Sequence, residues 1–185
     1  MLERRGAVVI DADDLARRAI DPGTPGLVKL LDRFGEGILA PDGSVDREGL
    51  ATSVFRDPQA LRDLEAIIHP EVARLFAEAV APYRSTNRVV VCAVPLLVEN
   101  RLEGGFDAVV VVWAPEDVRV ARLKADRGMA EQAARDRMAV QATDPERERV
   151  ATLVVRNDGS VEQLEREVAR LWEELQARAA SIGPR

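Results

Sequence analysis

A chain of 185 residues is long enough for one domain of ordinary size with a substantial core. Hydrophobic residues make up 46% but aromatics only 4%, which suits a Val/Leu/Ala-rich α/β core better than a β-sandwich. The net charge of −6, from 26 basic and 32 acidic residues with no long basic run, disfavours nucleic-acid and membrane-surface partners, so any polyanionic ligand must be held by local arginines.

In chain order, the first apolar run covers residues 7–10 and predicts a buried strand that delivers Asp11 and Asp13 to the start of a helix. Residues 14–84 are mostly helical, with apolar clusters at Leu27, Leu30, Leu31 and Phe34, at Leu50, Val54 and Phe55, and at Leu61, Leu64, Ile67 and Ile68. That is too much for one crossover helix and predicts a helical subdomain inserted into the crossover. Further strands are expected over 89–94, 108–112 and 152–155. The runs are continuous and β-branched, the pattern of a parallel sheet with helices on both faces.

Helix starts are well marked. Thr24-Pro25 and Asp57-Pro58 each put a capping side chain before a proline at the first helical position. Pro115-Glu116-Asp117 supplies another first turn, which Gly128 closes. Ser160 with Gln163 fits a capping box. Val161, Leu164, Val168, Leu171, Trp172 and Leu175 then follow helical spacing, and the tail from Ala179 to Arg185 is expected to fray.

Cys92, the one cysteine, excludes an intramolecular disulfide, and its apolar run predicts a buried, inert thiol. With a single histidine as well, a zinc site is not expected, and no metal ligand is assigned. No stretch reaches the roughly 18 apolar residues of a membrane span and no secretory signal is visible, so a cytoplasmic protein is expected.

Ligands of open parallel sheets bind at the carboxyl ends of the strands, where Asp11 and Asp13 stand. From the residues alone, a helix cap is the more ordinary fate for either aspartate. Arg17 lies one turn beyond Asp13. His69-Pro70 reads equally as a satisfied turn or core residue and as a functional one. Glu99 faces either a cleft or solvent. Arg119 and Arg122 share a helix face, Arg127 ends that helix, and Arg135, Arg137 and Gln141 are expected on the next. Such arginines either neutralise a phosphorylated ligand or form surface ion pairs with Asp126, Glu131 and Asp136.

A series of motifs in order resembles the dephospho-coenzyme A kinases. It comprises Asp11-Ala12-Asp13, Asp21-Pro22-Gly23, Phe34-Gly35-Glu36-Gly37, Asp42-Gly43-Ser44-Val45-Asp46, Val54-Phe55-Arg56-Asp57-Pro58, Ile68-His69-Pro70 and Pro95-Leu96-Leu97-Val98-Glu99. Each is weak alone; the ordered series runs from Gly6 to about Trp172. The resemblance implies a three-layer parallel-sheet P-loop kinase fold, a single kinase-like domain over 1–185. Its acceptor-binding helical subdomain spans about 14–84 and an arginine-rich lid about 115–150. It implies magnesium-dependent transfer of the ATP γ-phosphoryl group to the ribose 3′-hydroxyl of dephospho-coenzyme A, by a monomer or weak homo-oligomer. Asp13 is then the base and Arg122 the charge stabiliser. Asp11, Arg17, His69, Glu99, Arg137 and Gln141 fall on the acceptor side, with Arg127 and Asn157 on the nucleotide side. An ATP-independent binding module for dephospho-coenzyme A is the competing expectation, and a different small-molecule kinase is a weaker one.

The family's phosphate loop has the form Gly-x-x-x-x-Gly-Lys-Ser/Thr, and these 185 residues contain no such motif. Residues 2–6 resemble the end of the helix that follows it. The expectation is a chain lacking the first, central strand and the phosphate loop, with negligible turnover as it stands. A truncated clone, a wrongly assigned start codon or a partial gene would each explain that. Without the central strand, residues 89–94 and 108–112 are expected either to pair directly or to leave an apolar slot.

Overall fold

A computed structural model describes residues 1–183. The chain separates into two compact units, one of residues 8–94 and one of residues 1–7 with 95–183.

The first unit holds β1 (Val8–Asp11) and β2 (Val90–Ala93), paired in parallel with Ile10 opposite Cys92 and Asp11 opposite Ala93. Between them run α1 (Ala12–Arg18), α2 (Pro25–Phe34), α3 (Arg47–Phe55) and α4 (Pro58–Val80). The predicted caps are in place. Thr24 Oγ1 accepts from Leu27 N–H, and Asp57 accepts from the N–H groups of Gln59 and Ala60. Asp46 caps α3 by accepting from Gly49 N–H. The helices close over a core of Ala19, Ile20, Leu27, Leu30, Ile38, Val45, Leu50, Val54 and Ala60, in which Leu30 is fully buried. Two ties join α2 to α4. Lys29 Nζ donates to the buried Glu71 carboxylate at 2.9 Å, and Arg33 Nε to Asp63 at 2.6 Å.

The second unit pairs β3 (Val110–Trp113) with β4 (Leu153–Arg156), again in parallel. Between these strands lie α5 (Glu116–Arg127), α6 (Glu131–Ala139) and α7 (Asp144–Val150), and α8 (Val161–Ile182) follows. Gly128 ends α5 at φ 60°, a left-handed position that a glycine takes without a Cβ clash. Capping boxes open α7 at Thr143–Glu146 and α8 at Ser160–Gln163. Val168 and Leu171 of α8 bury themselves against Val155, with Leu2 from the N-terminal turn packed on the same cluster.

Of the two arrangements expected for residues 89–94 and 108–112, direct pairing does not occur among the described residues: the ladders form two separate two-stranded sheets, β1–β2 and β3–β4. Other expectations need correction. Burial along the strands is uneven. Ile10 and Val155 are buried, while Val9, Val112 and Val154 on the alternate faces are exposed. Phe55, assigned to an apolar cluster, is 87% exposed at the end of α3. His69-Pro70 is neither turn nor core; it lies inside α4 with His69 exposed. The last helix continues to Ile182, beyond the predicted fraying at Ala179, and residues 184–185 lie outside the described part.

Candidate functional site

In the first unit, β1 runs straight into α1, and the junction sorts its two aspartates. Asp11 is the N-cap: its Oδ1 accepts the Asp13 N–H at 2.9 Å. Asp13 is exposed, and its carboxylate has no hydrogen bond or ion pair among the described residues. Arg17 stands four residues on, on the same helix face and also exposed. Its backbone carbonyl accepts from Arg47, but its guanidinium has no partner among the described residues. Across the ladder from this end of β1, burial and then the Asp11 carboxylate raise the Cys92 thiol above its ordinary pKa. A thiol held protonated in this way is a poor nucleophile.

In the second unit, α5, the end of α6 and α7 enclose a cavity of about 380 Å³. Arg119, Arg122, Arg127, Arg137, Gln141 and Arg147 line it, and Asp126 is the single acidic residue on its wall. The sequence assigns Arg122, Arg127, Arg137 and Gln141 to a site, and the fold brings the four together. Arg119 shares a helix face with Arg122 and joins the wall. Arg147 carries no local sequence signal, because its place on the wall depends on a helix that returns after a break in periodicity. That break also corrects the position of Gln141. Helix α6 stops at Ala139, and Gln141 lies beyond its end with its N–H on the Met138 carbonyl.

The cavity arginines divide by partner. Arg119 is paired with Asp144 at 3.2 Å, and Asp144 also accepts from Trp113 Nε1 at 3.1 Å. Arg147 is paired with Glu99 at 3.8 Å. Arg122 donates to the Asn157 carbonyl at 2.8 Å, which leaves its charge uncompensated. Arg127 and Arg137 have no partner among the described residues. Arg135, by contrast, points elsewhere and is held in surface ion pairs with Glu116 and Glu131. Asn157, at the end of β4, donates its N–H to the Trp113 carbonyl at 2.7 Å, and Arg156 stacks on the Trp113 ring with its guanidinium 5.0 Å from the ring centroid.

A partly enclosed cavity whose wall carries three cationic groups without carboxylate partners is suited to a multiply charged anion such as a nucleotide phosphate chain. Among the described residues, no cluster of three or more His, Cys, Asp or Glu side chains is placed to hold a metal. His69 sits on α4 without a hydrogen-bond or ionic partner among those residues.

Two solved structures share the fold. The solved structure of TT1252 from Thermus thermophilus matches with a TM-score of 0.78 at 35% identity, over 94% of this chain and 87% of that one. The dephospho-CoA kinase from Campylobacter jejuni matches with a TM-score of 0.71 at 22% identity, over 95% and 88%, a likeness of fold. The fold is that of the P-loop kinases. The family follows from sequence. The dephospho-CoA kinase family model (CoaE) matches residues 1–163, and a dephospho-CoA kinase of Streptomyces avermitilis is 46% identical over 183 residues, 99% of this chain and 89% of the relative. The chain belongs to the dephospho-CoA kinase family.

Proposed function

We propose that this chain carries the acceptor and lid sides of an ATP-dependent kinase that phosphorylates the ribose 3′-hydroxyl of dephospho-coenzyme A, giving coenzyme A in the cytoplasm. The supporting observation is the cavity wall on which Arg122, Arg127 and Arg137 present charges that no carboxylate pairs. Phosphoryl transfer is mostly positioning and charge stabilisation, so a protein doing it needs unspent cations more than covalent chemistry.

In this reading Asp13 accepts the 3′-hydroxyl proton while the new O–P bond forms and the bond to the β–γ bridging oxygen breaks, with ADP leaving. The absence of a partner for its carboxylate supports the role. Asp11 contributes by capping α1 and so fixing where Asp13 projects. Arg17 and His69 hold the acceptor, with Arg137 and Gln141. Arg122 offsets charge on the transferred group, and Arg127 and Asn157 serve the nucleotide. Magnesium would accompany ATP, held mainly by phosphate oxygens and water, as is usual for this ion.

The reading further holds that these 185 residues by themselves turn over negligibly, since none of them forms a Gly-x-x-x-x-Gly-Lys-Ser/Thr cradle for the phosphates. Coenzyme A formation is measured for the 185-residue chain and for a version extended by a strand, such a loop and a helix. The extended version is expected to be active, and the shorter chain to bind dephospho-coenzyme A in calorimetry with little turnover. Equal turnover of the two removes the cradle argument. No product from either removes the kinase reading in favour of a binding module.

A further inference from the structure

We infer that Glu99 is a positioning residue of the anion cavity, holding the α6–α7 junction and Arg147 in place, rather than a contact of the acceptor. One of its two carboxylate oxygens is already engaged. Oε1 accepts the Ala142 N–H at 2.7 Å and lies 3.8 Å from Arg147 Nη2. Arg147 in turn donates to Gln141 Oε1 at 3.4 Å, so one carboxylate reaches two residues of the cavity wall. The site is sheltered, with the Glu99 and Arg147 side chains 21% and 24% exposed, and a charge-assisted bond there exceeds its surface counterpart.

The segment carrying Glu99 is built to be stiff. Leu96 and Arg101 both sit at left-handed φ, 55° and 54°, where non-glycine residues are uncommon and must be held by their surroundings. Three backbone bonds span the turn: Asn100 N–H to Leu96 O, Arg101 N–H to Val98 O and Leu102 N–H to Leu97 O. Glu99 therefore projects from a fixed platform onto a junction where the Ala142 N–H takes its side chain as acceptor. Ala142 follows Gln141 and precedes the Thr143 cap of α7, so its N–H belongs to neither helix. Without Glu99 the Ala142 N–H would lose its acceptor, and the register of α7 on the cavity would rest on the Asp144 ties and the weak Arg147–Gln141 bond.

Neutralising Arg147 also sharpens the cavity. Glu99 and Asp144 turn Arg147 and Arg119 into framework, and the unpaired charge is left on Arg122, Arg127 and Arg137. Only this consequence rests on the kinase reading; the latch itself stands on the geometry of the ligand-free chain.

The experiment compares the parent with Glu99→Ala and Glu99→Gln in two readouts. Amide exchange in the ligand-free chain is followed by NMR at Ala142, with Val168 in the core of α8 as the reference. Calorimetry measures binding of inorganic triphosphate. Glu99→Ala is expected to speed Ala142 exchange by about tenfold or more relative to Val168, and Glu99→Gln, which keeps an acceptor oxygen, by less than about threefold. Triphosphate binding should weaken about fivefold or more in Glu99→Ala and stay within about threefold in Glu99→Gln. The latch is overturned if Ala142 exchanges alike in Glu99→Ala and the parent, or if Val168 accelerates equally. It is equally overturned if Glu99→Ala loses dephospho-coenzyme A affinity while the Ala142 amide is unmoved. If the parent does not bind triphosphate, the cavity reading fails and the amide result still decides the latch.

Discussion

The Asp13 N–H donates to Asp11 Oδ1 at 2.9 Å, and through this one bond two neighbouring aspartates take different fates: Asp11 becomes the helix cap and Asp13 keeps a free carboxylate. Where coenzyme A formation is measured in the extended version, Asp13→Asn should lower it by about 10²-fold or more, the scale of a lost general base. Stability should change by less than about 1 kcal/mol, the worth of a carboxylate in a first helical turn. Asp11→Ala should instead cost about 1 kcal/mol in urea unfolding, while Asp11→Asn, itself a good cap, should cost little. Turnover that survives Asp13→Asn would take the base assignment away.

The cavity arginines are separable from their neighbours on the same helices. Arg137 lines the cavity with no partner among the described residues, and Arg135, two positions earlier, is tied to Glu116 and Glu131. Arg137→Ala should weaken calorimetric binding of dephospho-coenzyme A by about tenfold, the loss of one charge-assisted contact, and that loss should shrink with added salt. Arg135→Ala should leave binding within about twofold, since it removes only surface ion pairs. Equal losses at both positions would mean that net charge rather than the cavity governs binding.

Local chemistry made much of this legible. A threonine or aspartate before proline fixes a helix start whatever surrounds it, and Thr24, Asp57 and Ser160 cap where the sequence places them. Continuous valine runs marked all four strands within two residues. Tertiary placement was less legible. Phe55 is apolar like a core residue but sits exposed where α3 ends. His69 precedes a proline, a signal that usually ends helices, yet α4 carries Pro70 in its interior. The Ala142–Glu99 bond joins residues 43 apart, and no local pattern announces a side chain that accepts from a backbone so distant.

Buried Glu71 gives the first unit a specific acid sensitivity. Hydrogen bonds from Lys29 and then Arg74 hold its carboxyl below the usual glutamate range. The folded pKa lies below the unfolded one, so the contribution to stability is complete above the ordinary glutamate pKa. It is lost as pH falls through the depressed value. Glu71→Gln should therefore be clearly less stable than the parent at neutral pH, and the gap in urea unfolding should close as pH falls through the depressed value. A gap that is constant with pH would assign Glu71 a packing role alone.

The turn from α1 into α2 makes one glycine indispensable. A Cβ built on Gly26 would run into the Ala19 carbonyl oxygen, with Glu71 Cγ 3.4 Å away on the other side. That carbonyl also accepts from Thr24 Oγ1 at 3.0 Å, so it cannot swing aside without loosening the cap of α2. Alanine is the better helix former by about 1 kcal/mol, and on propensity alone Gly26→Ala should stabilise. Because backbone must move to admit the methyl, overpacking should win and the net cost should be about 1–3 kcal/mol. Gly37, whose Cβ would meet nothing within 4 Å, supplies the control. Gly37→Ala should fall within about 0.5 kcal/mol of the parent in the same denaturation series. A Gly26→Ala protein as stable as the parent would mean that α1 and α2 can separate, and that the approach of helix to carbonyl is not what fixes this turn.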